Sequence, residues 1–546
     1  TPATRSAATR RTWGRGSSAP DAMTASTDAP GGRQSYAAAA ASGSAWTTLQ
    51  TLANKVVTVF AMLVLAKLLE PADFGLANLA ISVGSFAFII APFVMGDVLL
   101  SHPSQFGRNA GTARALAWGA GIVLALGLIL AAKPIETFAD KPGLAFLLMV
   151  VVMQRPLADA AFVIPNSRLR IALQYRKIAL IDGAVILFAT LMGLAMAYFG
   201  MGPSSLLFPP IAMIWIRAFV YRRAAGAAVL GPIDPGLLKP LGRRFLVACA
   251  GQYLNSVLAI LEVLVLGFFA SETEIGLYGF AALLAIQTNT VIASQLGSVL
   301  QPIFAHIRQD PARQASAFLR ATRLLSSVSV PLSLMQAALA MPLFQLLFEE
   351  KWTGSIAVFA VLSVSQAFVF VGAPSIALLK AQARFRAYFA WQFSQLTVSA
   401  VVFVLAIQFG HGAVGQFIGM LGLPVGTDAR QALALSVASA AMWSLFCPIG
   451  LWIAGRPTKL AFRTVLGVFF APWLFAAPMA ALTVLAWWLL RSTMEPWIAD
   501  ALTLGAIGPM AALIAIGGTV WMRQETRADF KSIVDRFRRR KPATAV

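Results

Sequence analysis

The chain has 546 residues, of which 58% are hydrophobic and 12% charged, with a formal net charge of +21. So much apolar surface cannot be hidden in one soluble core of this size, which excludes an ordinary soluble globular class. The basic excess would suggest nucleic acid, but Lys and Arg gather in alternate short connections between apolar segments, which is the signature of a polytopic membrane protein.

Residues 1–43 are rich in Ser, Thr, Ala, Gly and Arg and lack an apolar h-region, so they read as a disordered cytoplasmic tail and not as a cleavable signal. Met23 is a candidate start, which makes residues 1–22 an upstream extension. From there on, about fourteen apolar segments follow one another. A helix needs roughly 20 such residues to cross hydrocarbon while satisfying its own backbone. The spans are expected at 44–69, 77–100, 113–132, 145–165, 177–198, 204–221, 245–270, 277–304, 322–348, 355–380, 387–409, 431–454, 464–490 and 499–521. This predicts an all-α polytopic inner-membrane protein. Of its 43 basic residues, 36 fall on one side, which places both termini in the cytoplasm.

The first six spans align on the next six. At an offset of 201, Asn54 meets Asn255, Asp73-Phe74-Gly75-Leu76 meets Glu274-Ile275-Gly276-Leu277, and Gly96-Asp97-Val98-Leu99 meets Gly297-Ser298-Val299-Leu300. At an offset of 210, Tyr175-Arg176 meets Phe385-Arg386 and Phe199-Gly200 meets Phe409-Gly410. An even number of spans per copy gives both copies the same sense in the membrane, which is the plan of a two-lobed transporter with a central cavity. The expected organisation is a first lobe over 44–221, a basic cytoplasmic linker over 222–244, a second lobe over 245–454 and two extra transmembrane helices over 455–521. A basic tail over 522–546 closes the chain; Phe530, Ile533, Val534 and Phe537 would give it an apolar helix face on anionic inner-leaflet lipid, and a solvated tail is the alternative.

Ionisable groups inside spans are costly and mark candidate sites. Lys55 lies near the middle of the first span, on a polar stripe with Thr47, Thr51, Asn54 and Thr58. The equivalent span of the second copy carries Gln252, Asn255 and Glu262, and Gln287, Asn289 and Gln295 of the next span could extend the same wall. The functional reading gives Lys55 an anionic substrate group, with Asn54, Thr51, Gln252, Asn255, Gln287 and Asn289 as uncharged contacts. Glu262 and Asp159 are the candidates for coupling to a proton or sodium gradient. The structural reading pairs Lys55 with Glu262 or Asp159 to fix helix packing. Asp97 and Asp182, near the cytoplasmic interface, read as structural. Arg168, Arg170 and Arg176, with Arg384 and Arg386 at the equivalent place in the second copy, could attract phosphate head groups, although the positive-inside bias alone predicts bases there. Cys249 and Cys447 fall inside spans and read as free buried thiols; the three His are scattered, and no cofactor or metal is implied.

The run Leu65-Ala66-Lys67-Leu68-Leu69-Glu70-Pro71-Ala72-Asp73-Phe74-Gly75 and the basic turn from Arg168-Leu169-Arg170 to Tyr175-Arg176-Lys177-Ile178-Ala179-Leu180-Ile181-Asp182 resemble the polysaccharide transporter (Wzx-type) flippases of the multidrug/oligosaccharidyl-lipid/polysaccharide exporter superfamily. Lys67 departs from the Arg usual there. The resemblance implies no enzyme but a flippase that carries a polyprenyl-diphosphate-linked oligosaccharide to the outer leaflet for exopolysaccharide, capsule or O-antigen (lipopolysaccharide) synthesis, with polymerase and export machinery as further partners. The alternatives are a peptidoglycan-precursor flippase or a drug and cation exporter of the same superfamily. A membrane glycosyltransferase or polymerase would want an acid-rich or His-rich periplasmic loop, and the longest such loop, 410–430, holds only His411, Asp428 and Arg430 as ionisable groups.

Overall fold

The computed structural model describes residues 30–89, 93–100, 105–226, 232–420, 422–424, 426–458, 460–522, 524, 526–528 and 531. The tail expected to form an amphipathic helix lies almost entirely outside the described residues, as do residues 1–29.

The first copy comprises α1 (Pro30–Leu68), α2 (Pro71–Ile89), α3 (Phe93–Leu100), α4 (Phe106–Ala139), α5 (Leu144–Phe146), α6 (Gln154–Ile171), α7 (Tyr175–Tyr198) and α8 (Ser204–Ala225). The second comprises α9 (Pro235–Phe269), α10 (Glu272–His306), α11 (Pro311–Ala338), α12 (Ala340–Leu347), α13 (Ser355–Ala381), α14 (Phe385–Leu405), α15 (His411–Met420) and α16 (Arg430–Gly455). Then come α17 (Phe462–Phe470), α18 (Trp473–Thr493), α19 (Pro496–Leu502) and α20 (Gly508–Met522). Turns of π-helix at Leu147–Val152, Ala406–Gly410 and Thr503–Ile507 join neighbouring pieces into longer rods.

Among the described residues, ten helical stretches are long and apolar enough to cross a membrane, or eleven if Pro311–Ala338 and Ala340–Leu347, bent by 54°, form one span. The expected fourteen segments all fall on these helices, yet three do not meet that measure among the described residues. Segment 77–100 is divided between α2 and α3, and segment 277–304 lies on α10. Segment 245–270 lies on α9, where Ser256–Phe269 is the apolar stretch among the described residues.

The two copies repeat in their turns as well as in their sequence. Ser271 caps α10, its hydroxyl accepting from the Glu274 N–H at 3.2 Å while the Glu274 carboxylate takes the Ser271 N–H. At the start of α2, the Asp73 carboxylate takes the Glu70 N–H at 3.1 Å, so the matched acids Asp73 and Glu274 do the same work. Leu173 and Ala383, at the expected offset, both adopt left-handed backbone, with φ of 54° and 55°. Each closes its helix with the same bonds, Leu173 N–H to the Arg170 carbonyl and Ala383 N–H to the Lys380 carbonyl, both at 3.0 Å.

A single buried cluster joins the lobes at one end, where α2 crosses α10. Phe280 stacks on Trp352 at 4.0 Å, and Phe74 meets both rings edge-on at 5.6 and 5.2 Å. The Trp352 indole N–H donates to the Ala66 carbonyl at 2.8 Å, and the Ser355 hydroxyl donates to the Leu277 carbonyl at 3.0 Å. At the other end the described buried residues separate into two clusters. One, around Met95, Phe162 and Tyr221, belongs to the first lobe with the start of α9; the other, around Phe304, Phe368 and Phe469, belongs to the second lobe and α17. The lobes thus share a core at their junction end and hold separate cores at the opposite end.

Candidate functional site

Beyond the junction, α1 of the first copy faces α10 of the second. There the Lys55 ammonium donates to the Gln287 amide oxygen, so two of the residues expected to line a common wall meet across the lobes. Thr51 and Asn54 lie half-buried on the turn of α1 next to Lys55. The Thr58 hydroxyl is satisfied by the Asn54 carbonyl at 2.8 Å, and Thr58 lines a cavity.

That cavity, about 370 Å³ in volume, lies among α1, α7 and α8, with Leu283 of α10 on its rim. Its walls are apolar, chiefly Met62, Leu65, Ile186, Met213 and Ile214, and Arg217 is the charged residue among those lining it. Arg217 forks onto Asp182 with bonds of 2.8 and 3.0 Å, and the Tyr221 hydroxyl adds a third at 2.8 Å. The guanidinium also lies over the Phe162 ring, 4.1 Å from its centre. Asp182 is therefore structural, as its position predicts, and the intramembrane carboxylate is balanced on the spot.

Arg217, inside the expected span 204–221, is not among the candidates that the sequence offers for a cavity. The available signal was Tyr221 one turn further along the same helix, which places an Arg and a Tyr on one face opposite the half-buried Asp182.

The two coupling candidates have separate surroundings. Glu262 of α9 accepts from the Tyr278 hydroxyl of α10 and the Ser439 hydroxyl of α16, inside the second lobe. Asp159 of α6 pairs with Arg155 one turn before it at 3.0 Å. Both carboxylates offered as structural partners for Lys55 are thus engaged by other groups. The side chains of Gln252, Asn255 and Asn289, like those of Thr47, Asp97 and Gln295, lie outside the described residues.

The basic clusters sit at the end away from the junction. Arg168 is half-buried and Arg170 exposed in the last turn of α6, while Arg176 is exposed and lies over the Trp46 ring at 5.4 Å. In the second copy the Arg384 guanidinium donates to the Ile453 carbonyl at 3.1 Å, a helix-end role, and Arg386 is exposed. Arg176 and Arg386 are the matched pair that offers free guanidinium surface. Cys249 and Cys447 are buried and unlinked.

The arrangement is an ammonium held at a lobe-to-lobe contact, beside an apolar cavity and above exposed arginines. A site so placed changes shape if the lobes rock about their junction, and it favours an anionic group carried on an apolar body.

The same architecture occurs in solved transporters. The chain is similar to the lipid II flippase MurJ in an inward closed conformation (TM-score 0.63, 12% identity, 87% of this chain and 99% of that one). It is also similar to an inward-facing multidrug resistance MATE family transporter of the MOP superfamily (TM-score 0.54, 12% identity, 74% and 96%). At that identity the likeness concerns the fold alone. In sequence the chain is 24% identical over 380 residues to the succinoglycan biosynthesis transport protein ExoT of Rhizobium meliloti, covering 67% of this chain and 73% of the relative. It is 23% identical over 402 residues to the lipopolysaccharide biosynthesis protein WzxC of Escherichia coli, covering 70% and 77%. The model of the family described as polysaccharide biosynthesis protein matches residues 64–357, more than half of the chain, and the protein belongs to that family.

Proposed function

We propose that the protein is a flippase that moves a polyprenyl-diphosphate-linked oligosaccharide across the inner membrane, by alternating access, for the synthesis of a surface polysaccharide. It acts as a transporter and not as an enzyme. The observation that carries this reading is the Lys55–Gln287 contact between α1 and α10, which puts a cation and an amide where the two lobes meet. The ammonium suits a diphosphate, the amide and the half-buried Thr51 and Asn54 suit sugar hydroxyls, and the apolar walls near Thr58 suit the proximal part of a prenyl chain. Gln252, Asn255 and Asn289 are assigned to the same polar wall from their place in the helices.

The basic end of the bundle is assigned to the cytoplasm, because that end carries Arg168, Arg170, Arg176, Arg384 and Arg386. On that assignment the junction end faces the periplasm, and the exposed pair Arg176 and Arg386 gathers diphosphate headgroups at the entrance. Glu262 is assigned the exchangeable proton or sodium ion, since its two hydroxyl partners are neutral and can stay in place in either state. Asp159, already paired with Arg155, is the weaker coupling candidate.

The test is lipid analysis of a depletion strain. The reading requires a polyprenyl-diphosphate oligosaccharide to accumulate on the cytoplasmic side while surface polysaccharide is lost. Unchanged lipid pools together with altered resistance to cationic drugs would replace it with an exporter.

A further inference from the structure

A second cavity, about 410 Å³, opens on the outer flank of the first lobe, away from α10. Its floor is Ala160, Ala161, Ile164 and Pro165 of α6, and its mouth carries Arg114 and Trp118 of α4 with Trp215 and Arg222 of α8. No acid lines it. Arg114 is half-buried and Arg222 exposed, and among the described residues neither guanidinium makes a hydrogen bond or ion pair. Arg223 stacks on the lining residue Phe219 at 4.8 Å and adds a third positive charge beside the opening.

The second lobe shows what such a groove requires. There α11, α13 and α16 take the places of α4, α6 and α8, and the groove between them is filled by α17 and the start of α18. Phe368 of α13 stacks on Phe469 at 5.4 Å and on Trp473 at 5.1 Å. The Ser326 hydroxyl of α11 donates to the Phe469 carbonyl at 3.2 Å, and Arg323 of α11 lies against Val468, Ala471 and Pro472. Among the described residues no segment of the chain does this for the first lobe.

Its depth fits the headgroup region. Arg114 lies about 12 Å of helical rise from the start of α4, and Arg222 is in the last turn of α8. Trp118 and Trp215, which also line it, carry indoles of the kind that favour the boundary between hydrocarbon and water. Two guanidiniums without acid partners, above a strip of small apolar residues, complement a phosphate carried on acyl chains.

We propose that a phospholipid with an anionic headgroup occupies this groove, its phosphate between Arg114 and Arg222 and an acyl chain along Ala160, Ala161 and Ile164. It fills in the first lobe the place that α17 fills in the second, and it is bound apart from the substrate path.

The full-length protein, purified in detergent, tests this by native mass spectrometry with phosphatidylglycerol and phosphatidylcholine as probes. Wild-type protein is expected to retain one phosphatidylglycerol about tenfold better than phosphatidylcholine, and R114Q/R222Q to lose that preference. A161F, which keeps both arginines but fills the floor, is expected to lose the bound lipid as well; it keeps the proposal testable should the double variant fail to fold. Equal retention by wild type and A161F overturns the proposal, as does wild-type protein with no preference for phosphatidylglycerol. Displacement of the lipid by inorganic phosphate alone would make the groove a free-anion site, which also overturns it.

Discussion

Gly75 and Gly276 each rest on the backbone of the other's helix. A Cβ placed on Gly75 would stand 1.9 Å from the Glu272 carbonyl oxygen of α10, and one on Gly276 would stand 1.7 Å from the Pro71 carbonyl oxygen of α2. The contacts are reciprocal because the two helices are copies related by a local two-fold at the lobe junction. One turn on, Gly279 lies against the Asn78 side-chain amide, with 2.1 Å left for a Cβ. Only glycine lets two backbones approach so closely, and this close crossing is what places the Phe74–Phe280–Trp352 knot beside it.

Alanine at either glycine must push the helices apart, since the obstructing atoms are backbone. Gly75→Ala and Gly276→Ala are each expected to cost about 3 kcal/mol, and their double variant less than twice that, because one separation relieves both clashes. Thermal unfolding in detergent measures this. Equal stability of wild type and Gly276→Ala would mean that the lobes do not close on one another here.

Removing the guanidinium of Arg217 leaves Asp182 with the Tyr221 hydroxyl as its remaining described bond. Arg217→Ala is expected to destabilise the first lobe by about 2 kcal/mol, the penalty of leaving a half-buried carboxylate without its ion partner. Adding Asp182→Asn should return most of it. A double variant no better than Arg217→Ala alone would show that the loss came from the Phe162 contact instead.

Lys55→Ala removes the cation at the lobe contact but no part of the junction core. Export of surface polysaccharide is expected to fall at least about tenfold at unchanged protein level, with Lys55→Arg retaining more than Lys55→Gln. Full export by Lys55→Ala would end the anion-site assignment.

Glu262→Gln keeps an acceptor for one of the Tyr278 and Ser439 hydroxyls, lets the other turn to accept from the amide N–H, and abolishes the charge. The variant is expected to fold and to transport slowly, with a rate that no longer responds to external pH or sodium in proteoliposomes. An undiminished dependence would move the coupling role elsewhere.

Ala383 is exposed and pays for left-handed backbone that glycine adopts freely. Ala383→Gly should therefore be neutral or stabilising by up to about 1 kcal/mol, read as a small rise in Tm. A marked loss would show that the turn draws on the alanine methyl for packing.

Spans, repeat and family were legible in the sequence because each depends on local properties. Apolar length fixes a crossing helix, and the matched Asp73 and Glu274 sit where a helix start needs an acid to close its first turn. The matched Tyr175-Arg176 and Phe385-Arg386 follow turns that do share one geometry. The number of crossings was less legible where α11 and α12 are bent against each other by 54°, so that length and apolarity alone do not define a span there.

The sequence by itself determined that the chain is a helical membrane protein of two related halves, that Lys55 and Glu262 are its unusual intramembrane charges, and that bases crowd one face. Which groups those charges meet was decided only by tertiary structure. The Lys55–Gln287 bond spans 232 residues, the Glu262–Ser439 bond 177 and the Arg217–Asp182 pair 35. A helix periodicity tells which face a residue occupies but not which helix lies opposite. For Lys55 the partner comes from the other lobe, across the junction closed at Gly75 and Gly276, while Glu262 and Asp182 find theirs inside their own lobes.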